Sequence, residues 1–339
     1  MKIRKLLLGL VALTILSACK PTSSSEPTES SETPSVTSQP EVTSEPDVTS
    51  DVVSSSEESS SAPSSSEWVP PTPVWQPALT MSFTPMAEYS GSFWNTIDFN
   101  LRGEDLKTAL FNYLNPKKKL ITYGETMGAL REMDRDPSNS NNILSIYDLK
   151  SHPGATYNGG KWNKEHSYPQ SKLKDGNESL GASNNVANIS SDVANLFASD
   201  ADLNTTRSNN SYGEWNYTSD PQTLYEFTLT NTAGQRVDSI LRRGYFSPTP
   251  LVRGEIARAQ LYMLVMYPTQ CALGENFAIQ TMIKWDREHV PTVERDGQRQ
   301  TGIQKYQEIR NPFIDNRNLS CYIWGDTNIQ TRSLCNGIY

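Results

Sequence analysis

The chain has 339 residues, with 30 Lys+Arg against 38 Asp+Glu and a formal charge of −8. Four cysteines exclude a disulfide-dense miniprotein, and 31 aromatic residues exclude a wholly disordered chain. The acidity would oppose a polyanionic partner only if it were evenly spread, and it is not. Met1–Ala18 carries +3, Cys19–Trp68 carries ten acids and one base, and Val69–Tyr339 holds 26 bases against 28 acids. Every Trp, Tyr and Phe lies at or beyond Trp68. The first fifth of the chain therefore cannot build a core, and the rest reads as a nearly neutral globular body.

At the N-terminus, Lys2, Arg4 and Lys5 precede an apolar run from Leu6 to Leu16 that is too short to span a bilayer as a stable helix. The run ends in Leu16-Ser17-Ala18-Cys19, which resembles the lipobox of bacterial lipoproteins. That resemblance implies a signal peptide over residues 1–18 and lipidation at Cys19. An ordinary secretory signal with a chance Cys is the alternative. No later apolar stretch approaches 18 residues, so the anchor would be the acyl chains alone. From Pro21 to Glu67, 18 of 47 residues are Ser, 6 are Thr and 6 are Pro, with no Lys, Arg or aromatic residue. Such a segment buries too little apolar surface to offset its chain entropy. We read residues 19–74 as a disordered, self-repelling tether and 75–339 as the working domain.

Within that domain, Leu106, Leu110, Phe111 and Leu114 have helical spacing and are followed by the basic run Lys117–Lys119, read as solvated. Tyr123–Met133 reads as a second helix, Asp134–Asn139 as a loop and Ile143–Tyr147 as a short strand. Asn204 and Arg207 would share a face if their stretch is helical. Gly254–Tyr267 is the strongest helix, with Pro268 beyond it. Helices outnumber clear strands, so the expected class is α+β, a single, mostly helical domain.

Only three histidines are available for chemistry: His152, His166 and His289. His152 precedes Pro153-Gly154 and reads as a surface turn residue. Glu165-His166 and Glu288-His289 are equivalent as short motifs. Only the first is followed by an Asn-x-x-Arg pair, Asn204 and Arg207, and the second reads as an unrelated pair. A Glu–His pair with an Asn/Arg helix offers a general base, hard oxygen ligands for a divalent cation and a cation for phosphate.

The ordered series Glu165-His166-Ser167-Tyr168-Pro169, Asp192-Val193-Ala194-Asn195-Leu196, Asn204-Thr205-Thr206-Arg207-Ser208-Asn209, Arg253-Gly254-Glu255-Ile256-Ala257-Arg258 and Arg310-Asn311-Pro312-Phe313-Ile314-Asp315 resembles the bacterial endonuclease I family. These are secreted and periplasmic nucleases with a ββα-metal active site, and the likeness runs from about Leu106 to Trp324. The sequence departs from the pattern at Ala194, where a His is usual. It departs again at Lys172 and Lys174, near a position often held by Arg, whose planar fork Lys lacks. The resemblance implies a ββα-metal (His-Me finger) core and metal-dependent cleavage of DNA that leaves a 5′-phosphate, with RNA open as a second substrate.

A neutral imidazole can take a proton from water at working pH, which assigns His166 as general base. Glu165 and Asn204 are the expected ligands of Mg²⁺, with Ca²⁺ or Mn²⁺ as alternatives. Arg207 and Arg258 are the expected phosphate contacts, although Arg258 could instead pair with Glu255. Asp192 and Asn195 are expected to orient the site, and Asn209 to shape a turn. Cys271, Cys321 and Cys335 permit one disulfide or none, with the pairing open. The expected protein is a monomeric, membrane-anchored endonuclease. Two alternatives are an inactive surface DNA-binding or uptake lipoprotein, motivated by Ala194, and a wall-associated adhesin, motivated by the tether.

Overall fold

The computed structural model describes residues 83–157, 160–174, 180–214, 223–230, 236–242 and 245–339. The leader, Cys19 and the tether expected over 19–74 lie outside the described residues.

The first α-helix, α1 (Gly103–Leu114), buries Leu106, Leu110 and Leu114 along one stripe, and Glu104 and Asp105 in its first turn complement the helix dipole. Helix α2 (Thr126–Met133) begins three residues later than the sequence suggested. The segment expected as a loop, Asp134–Asn139, instead holds β1 (Arg135–Asp136), the turn Pro137-Ser138 and the start of β2 (Asn139–Leu144), and β3 (Ser151–Pro153) completes this antiparallel sheet. The strand expected over Ile143–Tyr147 therefore ends at Leu144 and begins earlier. Its Ser/Asn-rich start is exposed, so polar side chains there cost nothing in burial.

Two further strands, β4 (Trp162–His166) and β5 (Leu196–Asp200), form an antiparallel pair, and β5 runs directly into α3 (Ala201–Arg207). The last sheet has the order β6-β9-β8-β7, from β6 (Ser211–Tyr212), β7 (Thr223–Thr230), β8 (Arg236–Arg242) and β9 (Tyr245–Ser247). The class is α+β, with more strand than the sequence reading expected.

Helix α4 (Pro250–Met266) runs through the core. Pro250 opens it, where a missing N–H costs nothing, so it starts four residues earlier than expected. Its residues are buried almost all round, including Arg253, Glu255 and Arg258. Around it lie α5 (Ile279–Glu288), a π-helical turn at Val293–Gly297 that continues into α6 (Gln298–Gln307), α7 (Pro312–Asp315), α8 (Leu319–Trp324) and α9 (Ile329–Leu334). Gly254 marks the close approach of α4 to the end of α5. A Cβ there would lie 2.5 Å from the His289 carbonyl oxygen, so no larger residue fits without backbone movement.

The interior charges on α4 and α6 are paired, as buried charges must be. Glu255 accepts two bonds from Arg295, at 2.9 Å each, and Arg299 pairs with Asp134. Cys321 and Cys335 form a disulfide, which settles the pairing left open by the sequence, and Cys271 is a buried free thiol.

Candidate active site

Strand β4 alternates its side chains about a short ladder with β5, and its last two residues are Glu165 and His166. Asp200 caps α3, its Oδ1 accepting from Asp202 N at 3.0 Å and Leu203 N at 3.1 Å. This cap fixes the helix start, so Asn204 and Arg207, three residues apart, face β4. Together with Lys164 and Ser208, these four residues line an open cleft of about 560 Å³. Another depression of about 540 Å³, at Met86, Glu132, Arg135 and Lys305, contains none of the residues singled out by sequence.

Glu165 is buried, and its bonds fall on one oxygen. Oε1 accepts from the Tyr147 hydroxyl at 2.6 Å and from Arg207 Nη1 at 2.9 Å. Burial raises the carboxyl's pKa, opposed by Arg207 and by the Tyr147 hydrogen bond. Oε2 has no protein partner among the described residues and is the oxygen open to a cation. Burial works against the charge on Arg207, but Tyr212, Glu165 and Tyr147 outweigh it and keep the guanidinium protonated.

His166 Nε2 lies 2.8 Å from the Ser190 carbonyl oxygen. A carbonyl can only accept, so in this contact Nε2 carries the proton and Nδ1 keeps its lone pair. Burial, with the nearby charges of Lys164 and Arg207, holds the imidazole pKa down at about 4 despite the Ser190 hydrogen bond. The ring is therefore neutral near pH 7. Tyr123 stacks against it at 5.7 Å with the planes 6° apart, which fixes the ring plane.

Asn204 Nδ2 donates to Asn163 Oδ1 at 2.6 Å and to the Lys164 carbonyl at 3.1 Å. Both amide hydrogens are thereby committed, leaving Oδ1 as the free oxygen. An open cleft with one carboxylate oxygen and one amide oxygen unpartnered fits a hard divalent cation that keeps most of its waters.

Residues 102–318 match the sequence profile of the family described as Endonuclease I. The chain belongs to the endonuclease I family. The extracellular ribonuclease of Bacillus amyloliquefaciens is 26% identical over 240 residues, covering 66% of this chain and 74% of the relative. That of Bacillus subtilis (strain 168) is 27% identical over 242 residues, covering 66% and 75%. An extracellular deoxyribonuclease of Aeromonas hydrophila is 29% identical over 140 residues, covering 41% and 56%. The chain is a nuclease with extracellular relatives.

In this endonuclease I family member, Glu165, His166, Asn204 and Arg207 share the cleft, and Arg258 does not. Arg258 is 2% exposed; its Nε donates to Asp296 Oδ1 at 2.7 Å and its Nη1 to the His289 carbonyl at 2.8 Å. The expected phosphate contact is thus corrected to a core ion-pair cluster, and its partners are Asp296 and Asp286 rather than Glu255. Arg207, the other expected phosphate contact, lines the cleft with its guanidinium bonded to the protein. Besides Glu165, it donates to the carbonyls of His166 at 3.1 Å and Ser167 at 2.9 Å, bracing the end of β4 from below.

Ala194 is packed in the core beside Phe197 and Ile303, away from the cleft, so the missing His takes no group from the cleft itself. Asp192 is fully buried and accepts from Tyr262 (2.9 Å) and Tyr267 (2.6 Å), while Asn195 brackets the Tyr168 backbone. Both hold the loops that follow β4 and precede β5. Lys172 donates to Ser211 and Asn276, and Lys174 pairs with Glu275; neither lines the cleft. Lys164 does line it, with burial lowering its pKa to about 8. Asn209 lines the cleft and donates to Ser171 Oγ at 3.3 Å.

His152 is 7% exposed, which corrects its reading as a surface residue; its strand pairs with β2 and carries it inward. Tyr123, Tyr147, Asn163 and Ser190 were not singled out by sequence. They act by hydrogen bonding or stacking at separations of up to 43 residues, and no local pattern marks such partners.

Proposed function

We propose that this protein is a surface-anchored, metal-dependent, non-specific endonuclease that hydrolyses phosphodiester bonds in DNA and RNA. The observation that carries the reading is the convergence of a neutral, tautomer-fixed His166 with the free oxygens of Glu165 and Asn204 in one open cleft. In this reading β4, β5 and α3 are a ββα-metal unit. His166 Nδ1 takes a proton from the attacking water, and the Ser190 carbonyl holds the imidazolium that results. Glu165 and Asn204 would hold Mg²⁺, with Ca²⁺ or Mn²⁺ as substitutes. When bound, such an ion neutralises charge on the phosphoryl and leaving oxygens. Arg207 opposes the burial that raises the pKa of Glu165 and holds the strand end in place, and Lys164 adds positive potential for the substrate backbone. The product carries a 5′-phosphate.

Both named relative classes, ribonuclease and deoxyribonuclease, support a cleft that grips phosphates rather than sugars or bases. Ala194 packs in the core rather than lining the cleft, which favours the active enzyme over an inactive binding protein. In the proposed architecture, residues 1–18 are removed, Cys19 is lipidated, 19–74 forms the tether and 75–339 acts as a monomeric catalytic domain outside the cell. Among the described residues no helix is long and apolar enough to cross a membrane.

Plasmid nicking and RNA cleavage with Mg²⁺, with and without chelator, test the activity. His166→Ala should lower the rate about 10²–10⁴-fold while His289→Ala leaves it intact. Cleavage unchanged in His166→Ala, or unaffected by chelator, would sink the mechanism. Cys19→Ala should move the protein from membranes to the medium.

A further inference from the structure

At the far end of the β4–β5 ladder from His166, three side chains from separate segments converge. Asp148 lies between β2 and β3, His152 on β3 and Asp200 at the end of β5. One ligand atom from each lies within 4.8 Å of the others. Asp148 is fully buried and His152 nearly so, yet Asp148 Oδ2 and His152 Nε2 have no hydrogen-bond partner. Burying such atoms unpaired is unfavourable, so the gap between them calls for a ligand.

Each carboxylate commits one oxygen to the protein and turns the other towards the gap. Asp148 Oδ1 accepts from Ser145 Oγ and from Lys150 N, and Asp200 Oδ1 caps α3. Asp200 Oδ2 lies 3.8 Å from His152 Nε2, too far for a hydrogen bond. That spacing approaches the roughly 3.4 Å between two ligands of a tetrahedral ion with bonds of about 2.0–2.1 Å. Lys150 Nζ, 3.6 Å from Asp148 Oδ2, is partly exposed and free to swing out.

We infer that Asp148, His152 and Asp200 form a second, structural cation site that takes Zn²⁺. One imidazole and two carboxylates suit Zn²⁺, whereas Mg²⁺ favours an all-oxygen octahedron. The site is separate from the cleft. Asp200 pairs with Trp162 and Leu196 with His166, so the two ends of the ladder are about 13 Å apart. Asp200 also caps the helix that carries Asn204 and Arg207. An ion here ties the β2–β3 segment to the start of that helix and steadies its placement over β4.

The test is calorimetric titration of Zn²⁺ into the full chain, freed of metal by chelator dialysis and held in saturating Mg²⁺, with thermal unfolding followed in parallel. One saturable site and a raised Tm are expected. Affinity should fall at least tenfold in His152→Gln and Asp148→Asn and persist in His166→Ala. If those two variants fail to fold, Asp200→Asn, which retains a capping oxygen, takes their place with the same expected loss. No saturable binding by the wild type overturns the inference. So does unchanged affinity in the folded site variants, or loss of the site in His166→Ala instead. Because the readout is binding rather than cleavage, the outcome is independent of whether the proposed nuclease mechanism holds.

Discussion

Arg207 Nη1 lies 2.9 Å from Glu165 Oε1, and both side chains are at least 97% buried. The pair sits on the cleft floor, and the same guanidinium holds the carbonyls of His166 and Ser167. One residue of α3 thus positions both the proposed ligand and the proposed base on β4. Removing one partner of a buried pair strands the other charge, so Arg207→Met should cost about 3–5 kcal/mol of stability. Cleavage should fall at least a hundredfold at temperatures where the variant is folded. Denaturant unfolding measured beside single-turnover cleavage checks both. If Arg207 served only as a phosphate contact, stability would hold and the salt slope of binding would shrink by about one.

Asn204→Asp tests the amide's orientation. The change preserves size and adds a charge that could favour a cation. It also sets a carboxylate oxygen against Asn163 Oδ1 and the Lys164 carbonyl, which now accept from Nδ2. Two acceptors facing an anion should drive the side chain out of place. The Mg²⁺ concentration for half-maximal cleavage should rise at least tenfold; a fall would show that charge, not orientation, limits the site.

The cleft residues could be read from the sequence because their relations are short-range. Glu165 and His166 are adjacent, and Asn204 and Arg207 sit at helical spacing within one short helix. Arg258 was misplaced for the opposite reason. An arginine bound for phosphate and one bound for Asp296 look alike in a helical motif when the partner lies 38 residues away. His152 was misread because His-Pro-Gly has turn composition, whereas its burial comes from pairing with Ile143 across the sheet. The polar start of β2, Asn139–Asn142, is invisible to propensity, since this exposed half is held by ladder bonds rather than apolar packing.

His289 supplies a pH test away from the cleft. Burial, with the charges of Arg253 and Arg258, lowers its pKa from an ordinary 6.5 to about 4. The unfolded chain therefore binds a proton at a higher pH than the native state does. Stability from this group is full above about pH 6.5 and is lost as pH falls towards 4. His289→Gln should flatten the acid side of the stability curve by on the order of 1 kcal/mol between pH 7 and 4.5, after allowance for partial exposure. Asp286 acts in the opposite sense, because burial raises its pKa to about 6. Comparing the variant with the wild type cancels that contribution. Parallel curves for the two proteins would mean that His289 protonates as easily folded as unfolded.

The Cys321–Cys335 disulfide closes a loop of 14 residues that joins α8 to the end of α9. Chain-entropy reasoning assigns a loop of this size about 3 kcal/mol. Cys335→Ala should therefore lower stability by about 2–4 kcal/mol, and a reductant should reproduce the loss in the wild type but not in the variant. Neither cysteine lines the cleft, so the rate per folded molecule should stay within a factor of two. Cys271 will not complicate the comparison. Its thiol is buried and its pKa is pushed up, first by burial and then by Asp192, so almost no thiolate is present to exchange. Thiol titration should find Cys271 unreactive in the native chain and reactive on denaturation. Rapid native labelling of Cys271 would mean that the region around Tyr267 and Asp192 opens without global unfolding, and the reductant effect could then no longer be assigned to the disulfide alone.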